Sequence, residues 1–133
     1  MQRDRISILI ADDNKDFVTL LCSCLSMHSD MEVAGVARNG AEVLSQIERF
    51  HPDVLLLDLV MPSMDGLEVL SQLHVSKEKG PAVFVLSGIS SEQIIRRTKE
   101  LGAVFYFIKP CNTEVIVEKI RSVMTGTDEK AVN

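Results

Sequence analysis

Residues Asp53 to Leu70 read DVLLLDLVMPSMDGLEVL, and the first part of this stretch sets the architecture. Val54-Leu55-Leu56-Leu57 is apolar at every position, where a strand with one wet face would alternate, so it reads as a strand buried on both sides. The run stops at Asp58. Beyond a turn around Pro62 the spacing becomes helical, and Gly66 to His74 suits a short helix. A strand covered on both faces and followed by a helix is the repeating unit of a parallel sheet.

The same alternation continues in both directions. Upstream, Ile6 to Ala11 reads as a buried strand, and the helix starting at Lys15 carries Phe17, Leu20, Leu21, Cys24 and Leu25 as an apolar stripe that ends near Met27. Met31 to Ala37 is a second strand. Asn39 caps the next helix, where Glu42 makes a capping-box-like start and Val43, Leu44 and Ile47 form the buried face. Downstream, a polar loop from Ser76 to Pro81 leads to a fourth strand, Ala82 to Leu86, and to a helix from Ser91 to Leu101 closed by Gly102. Val104 to Ile108 is a fifth strand, and Asn112 caps a last helix with Ile116, Ile120, Val123 and Met124 facing inward. Five strand-then-helix units with short connections imply right-handed crossovers. The expected fold is therefore α/β: a doubly wound, five-stranded parallel sheet with helices on both faces.

The 133 residues fit one domain, expected over 1–124, and TGTDEKAVN (Thr125 to Asn133) loses periodicity as a polar tail or the start of a linker. With 46% hydrophobic and 25% charged residues the chain is neither disordered nor a disulfide scaffold. Its apolar runs fall far short of the roughly 18 residues a membrane span needs. The charged N-terminus leads straight into a strand and not into a signal core, which points to the cytoplasm. Cys22, Cys24 and Cys111 form no C-x-x-C pair and read as free thiols. Nineteen acids against fourteen scattered bases give a net charge of −5, without the basic stripe that phosphate-backbone binding needs, which argues against nucleic acid as a direct partner. His28, His51 and His74 share no spacing and read as surface residues, and Met61 and Met64 flank Pro62 as packing or loop residues.

In a parallel sheet, functional groups gather at the carboxyl ends of the strands. Strand one ends in Asp12-Asp13, strand three in Asp58, strand four in Ser87-Gly88 and strand five in Lys109-Pro110. Carboxylates brought close together repel, so such a cluster stands only with a cation or with the pKa of one member raised, and oxygen ligands in this number suit a hard metal. Magnesium keeps several waters, so Asp12 or Asp13 with Asp58 and a backbone carbonyl would suffice. Each residue also has a plainer reading. Asp12-Asp13 could cap the first helix, Asp58 could start a turn, Lys109 could snorkel to solvent, Ser87-Gly88 could be a turn and Tyr106 a core residue. Three acids at two strand ends with a lysine at a third favour a shared site. A phosphohydrolase with an aspartate nucleophile would want a second Asp two positions after Asp58, where Val60 stands. A flavin-binding module would want a Gly/Ser/Thr-rich loop after strand one, where Asp12-Asp13-Asn14 repels phosphate.

IADDN (Ile10 to Asn14), DVLLLDLVMPSMDGLEVL, VLSG (Val85 to Gly88) and YFIKP (Tyr106 to Pro110) together resemble the receiver domain of bacterial two-component response regulators, over Ile6 to Met124. Through ADDN, GVARNG (Gly35 to Gly40) and LDLVMPSMDGL the chain is most similar to the receivers of sporulation-initiating transcription factors. The resemblance implies a flavodoxin-like fold with strand order 2-1-3-4-5. It implies Asp58 as phosphate acceptor, and Asp12, Asp13, Asp58 and the Val60 carbonyl as magnesium site. Lys109 is implied as the phosphoryl contact, Ser87 as switch hydroxyl, Tyr106 as switch aromatic, and Pro110 as following a cis peptide bond. The implied partner is a histidine kinase or histidine phosphotransferase, with DNA reached only through a separate output domain; a second copy of the chain is suggested by the linker-like tail and by mixed charge on the last two helices, Arg96, Arg97, Lys99 and Glu100 with Glu114, Glu118, Lys119 and Arg121. The implied activity is a switch that catalyses only its own phosphorylation and dephosphorylation. Ser87 replaces a commoner threonine and Cys111 a frequent aromatic. The rival within the family is an interaction domain that works without phosphorylation, but such domains usually lose an acid or the lysine.

Overall fold

Each apolar run becomes a strand of one sheet in a computed structural model that describes residues 5–61, 65–76 and 79–126. The order along the chain is β1 (Ile6–Ala11), α1 (Lys15–Ser26), β2 (Met31–Ala37), α2 (Gly40–Phe50), β3 (Val54–Leu57), α3 (Gly66–Val75), β4 (Ala82–Ser87), α4 (Glu92–Glu100), β5 (Phe105–Ile108) and α5 (Thr113–Met124). The strands pair in parallel in the order β2-β1-β3-β4-β5, the flavodoxin-like topology. Register places Ala11 beside Leu57, Leu57 beside Val85 and Ser87 beside Ile108, so the residues that follow β1, β3 and β5 emerge at one edge with the end of β4.

Side-chain alternation splits the core in two. Ile8, Ile10, Val54, Leu56, Phe84, Leu86 and Phe107 pack against Leu21, Cys24 and Leu25 of α1 and Ile116, Val117 and Ile120 of α5. Leu9, Ala11, Leu55, Leu57, Val83 and Val85 face the other way, onto Val43 of α2 and Val69 and Leu70 of α3. A central strand that is apolar at every position supplies both layers at once, as the reading of Val54 to Leu57 requires.

The helices begin where their caps stand. The side chains of Asn14, Asn39, Asp65, Ser91 and Asn112 each accept a bond from a first-turn backbone N–H. Glu42 reaches back, but to the N–H of Arg38 at 2.8 Å and not to that of Asn39, a variant of the expected capping box. Gly102 ends the α4 segment at φ +100°, where an L side chain would be strained.

Three expectations need correction. Leu20 lies outside the α1 stripe and is 59% exposed, because 100° of helical rotation separates it from Leu21 on the buried face. Val104 precedes β5 and is exposed; its N–H still bonds the Val83 carbonyl at 2.8 Å. His28 is not an isolated surface residue. It is half-buried between α1 and α5, where the Arg121 guanidinium donates to its Nδ1 at 2.9 Å and Nε2 lies 3.4 Å from Glu114. Arg121 also holds Asp30 through two bonds of 2.8 and 3.1 Å, and this keeps the Asp30 carboxyl below its ordinary range. The cysteines are free thiols, as expected. Pro62, Met64, part of the Ser76–Pro81 loop and the tail from position 127 lie outside the described residues.

Candidate functional site

Asp12 is the first residue past β1, and its N–H extends the sheet by bonding the Ala37 carbonyl at 3.0 Å. That bond holds a carboxylate at 2% exposure, where an unpaired charge is costly. Its two oxygens have separate partners: Oδ1 accepts from Asn14 N at 2.9 Å, and Oδ2 accepts from Lys109 Nζ at 2.7 Å. Asn14 then caps α1 by accepting from Phe17 N at 3.0 Å. The cap is therefore Asn14, which leaves Asp12 and Asp13 free of that plainer role.

Asp58 emerges from β3 in the same way, its N–H on the Ala11 carbonyl at 2.9 Å. It is buried, with Oδ1 accepting from Val60 N at 3.2 Å and Oδ2 lying 3.5 Å from Lys109 Nζ. The short turn anticipated at Asp58 thus exists, alongside the ion pair. Burial pushes the Asp58 carboxyl above its ordinary value, with the charge of Asp12 adding to the rise and the Val60 N–H and Lys109 opposing it. Asp13 is exposed, yet one of its oxygens lies within 4.8 Å of an oxygen from each of Asp12 and Asp58. Lys109 is anchored by its own N–H on the Ser87 carbonyl at 2.8 Å, and its peptide bond to Pro110 is cis. The ammonium does not snorkel; it bridges two buried acids.

Three carboxylates against one ammonium leave two negative charges at this edge, and every donor is an oxygen. That set fits a hard divalent cation and suits no soft metal. Among the described residues one other cluster, Cys24, His28 and Glu114, has ligand atoms equally close. It is closed to a cation. A guanidinium only donates, so His28 Nδ1 must accept from Arg121, and Nε2 then carries the ring proton toward Glu114.

Ser87 is fully buried, its Oγ accepting from Ile89 N at 3.2 Å, while the Tyr106 hydroxyl donates to the Ile89 carbonyl at 2.6 Å. Both side chains therefore hold one residue of the β4–α4 loop. Burial raises the Tyr106 phenol, against a hydrogen bond with Ser87. Sequence reasoning missed Ile89, and it treated Phe17 only as core and Gly66 only as a helix start. The Phe17 ring lies under Lys109, with Nζ 4.6 Å from its centroid. A Cβ on Gly66 would stand 2.6 Å from the Asp58 carbonyl oxygen and 2.6 Å from Leu59 Cα.

The raised Asp58 carboxyl gives a signed prediction. The native state binds more protons than the unfolded chain between the ordinary carboxylate pKa and the raised one, so this group's contribution to stability falls as pH rises through that window. Asp58→Asn should remove the fall and stabilise the metal-free protein near neutral pH, by on the order of 1 kcal/mol. Urea unfolding of both proteins from pH 3.5 to 7.5 measures this. A variant less stable than the parent at pH 7.5 would contradict it.

Structures of other proteins carry the same fold over nearly the whole chain. The signal receiver domain of the putative response regulator NarL from Mycobacterium tuberculosis is 28% identical, with a TM-score of 0.86 over 93% of this chain and 99% of that one. A DNA-binding response regulator of the LuxR family from Staphylococcus aureus is 27% identical, with a TM-score of 0.82 over 89% and 98%. The CheX-CheY-BeF3-Mg+2 complex from Borrelia burgdorferi contains a chain 25% identical, with a TM-score of 0.80 over 90% and 89%. Residues 8–121 match the family model of the response regulator receiver domain, a span that runs from β1 into α5 and takes in every acid, hydroxyl and lysine described above, and the chain belongs to that family.

Proposed function

We propose that this chain is a phosphoryl-accepting switch of a two-component system or phosphorelay, and that Asp58 accepts the group from a phosphohistidine on a histidine kinase or histidine phosphotransferase. The observation that carries this reading is Lys109, whose ammonium lies within hydrogen-bonding reach of both Asp12 and Asp58 at the edge where β3 ends. An Asp58 oxygen attacks phosphorus, the phosphorus–nitrogen bond breaks, and its electron pair returns to the imidazole of the donor. Asp12, Asp13, Asp58 and the Val60 carbonyl would hold magnesium, which supplies charge neutralisation on the transferring oxygens. Lys109 leaves its carboxylate partners for a phosphoryl oxygen, keeping a positive charge where negative charge accumulates. Asp58, Lys109 and Ser87 thus serve a reaction of the chain on itself, and the protein is a switch and not an enzyme for a separate substrate. Water attack at the same acyl phosphate returns it to rest.

The readout follows from the loop that holds Ser87 and Tyr106. When the Ser87 hydroxyl turns to a phosphoryl oxygen it releases the Ile89 N–H, and the loop that Tyr106 also holds must rearrange, altering the face of α4, β5 and α5. Arg96, Arg97, Lys99 and Glu100 on α4 with Lys119 on α5, whose ammonium lies over the Phe105 ring, give that face mixed charge suited to a two-fold homodimer; Glu114 and Arg121, expected on the same face, instead meet His28 and Asp30 toward α1, and Glu118 pairs with Arg121. Output through a DNA-binding domain joined beyond residue 124 is supported by the likeness to the Staphylococcus aureus regulator. A sporulation role is supported by ADDN, GVARNG and LDLVMPSMDGL.

The test is incubation with acetyl phosphate and magnesium, followed by intact-mass measurement. The parent should gain the mass of one phosphoryl group and Asp58→Asn none. An equal gain in the variant would overturn the assignment.

A further inference from the structure

We propose that Phe17 is a positioning residue for Lys109, its aromatic face holding the ammonium at the acceptor edge by a cation–π contact; the inference rests on the reading of Asp58 as phosphoryl acceptor. The ammonium has three attractive neighbours: Asp12 Oδ2 at 2.7 Å, Asp58 Oδ2 at 3.5 Å and the Phe17 ring, whose centroid lies 4.6 Å away. A cation within about 6 Å of a ring centroid is drawn to the ring quadrupole, most strongly where water is partly excluded. The two carboxylates are the groups that a divalent cation or a phosphoryl group would engage, drawing them away from the ammonium. The ring does not titrate and coordinates nothing, so its attraction persists through the reaction.

The backbone places that ring deliberately close. Asp12 Oδ1 accepts from Asn14 N, Asn14 Oδ1 accepts from Phe17 N, the Phe17 ring faces Lys109, and Lys109 Nζ returns to Asp12 Oδ2. This closed circuit ties the first turn of α1 to the site and, with the packing of Phe17 against the edge of the core, sets the ring position. Phe17 itself is only half-buried and packs at the margin of the α1–α5 layer. Apolar packing there would be met by leucine; only an aromatic face also holds a cation.

Two measurements test the proposal. In the metal-free protein the Lys109 ε-methylene protons should show an upfield ring-current shift, lost in Phe17→Leu and kept in Phe17→Tyr. With acetyl phosphate and magnesium, Phe17→Leu should accept the phosphoryl group about 2- to 30-fold more slowly, the span expected for a partly desolvated cation–π contact. Phe17→Tyr should recover most of the rate, and phenylalanine carrying one, two or three ring fluorines at position 17 should lower the logarithm of the rate stepwise, because fluorine weakens the quadrupole with little change in volume. In a Lys109→Met background none of these changes should matter. A rate insensitive to fluorination, or an equal loss by Phe17→Leu in the Lys109→Met background, would reduce Phe17 to packing and overturn the proposal. Failure of the parent itself to gain a phosphoryl group would instead defeat the Asp58 assignment, and the ring-current shift would still decide whether the contact exists.

Discussion

Lys109→Met is expected to destabilise the metal-free protein by about 3 kcal/mol at neutral pH, the low end for removing one partner of a buried ion pair. Methionine keeps the length and apolar stem of lysine, so the loss isolates the charge. Without the ammonium, Asp12 and Asp58 face each other buried and uncompensated. The cost should shrink toward pH 4, because each acid can then take up a proton and shed its charge. Magnesium should shrink it too, since a divalent cation supplies the missing counter-charge. Urea unfolding of parent and variant at pH 7.5 and pH 4, with and without magnesium, gives all four values. A loss that is the same under every condition would mean that Lys109 contributes packing alone.

Gly66→Ala should cost about 3 kcal/mol and slow phosphoryl uptake as well, because overpacking at this point has no soft side on which to relax. The added Cβ would lie 2.6 Å from the Asp58 carbonyl oxygen and from Leu59 Cα, both backbone, and 3.0 Å from Leu59 Cδ2. The Gly66 N–H also bonds the Leu59 carbonyl at 2.8 Å, so α3 is seated directly on the loop that carries the acceptor. Glycine is required here for the absence of a side chain. Gly35→Ala is the comparison: its Cβ would meet Gln46 Oε1 at 2.6 Å and Phe50 Cε2 at 3.3 Å, both ends of side chains and neither backbone, and the one hydrogen bond at stake is that of Gln46 Nε2 to the Val36 carbonyl. That variant should lose about 1 kcal/mol or less and keep its rate of phosphoryl uptake. Thermal unfolding with the acetyl phosphate assay separates the two positions, and equal behaviour would contradict the account of Gly66.

The strands and helices were legible because the signals that make them are local. Val54 to Leu57 is apolar throughout, Asn39 and Asn112 stand where helices begin, and Gly102 stands where one ends. Parallel pairing followed from the alternation of strand and helix, and that pairing sends the ends of β1, β3, β4 and β5 to one edge. Asp12, Asp58, Ser87 and Lys109 were therefore recognisable as neighbours from their places at strand ends. The order 2-1-3-4-5 was not; it came from the resemblance of whole motifs, since periodicity does not say which strand lies beside which.

What depended on the assembled fold is the set of pairings across long sequence separations. Lys109 lies nearer Asp12, 97 residues away, than Asp58, and Arg121 meets Asp30 and His28 from more than 90 residues along the chain. No spacing rule relates such positions, because their approach is fixed by sheet register and by how α1 and α5 pack on one face. Leu20 shows the same limit at short range, since hydrophobicity marks a residue as able to be buried while its helical angle alone turns it outward. Phe17 carries the point into the site: its sequence signal is that of a core residue, and only the gathering of Lys109, which follows β5, and the first turn of α1 at one edge of the sheet puts a cation over its ring.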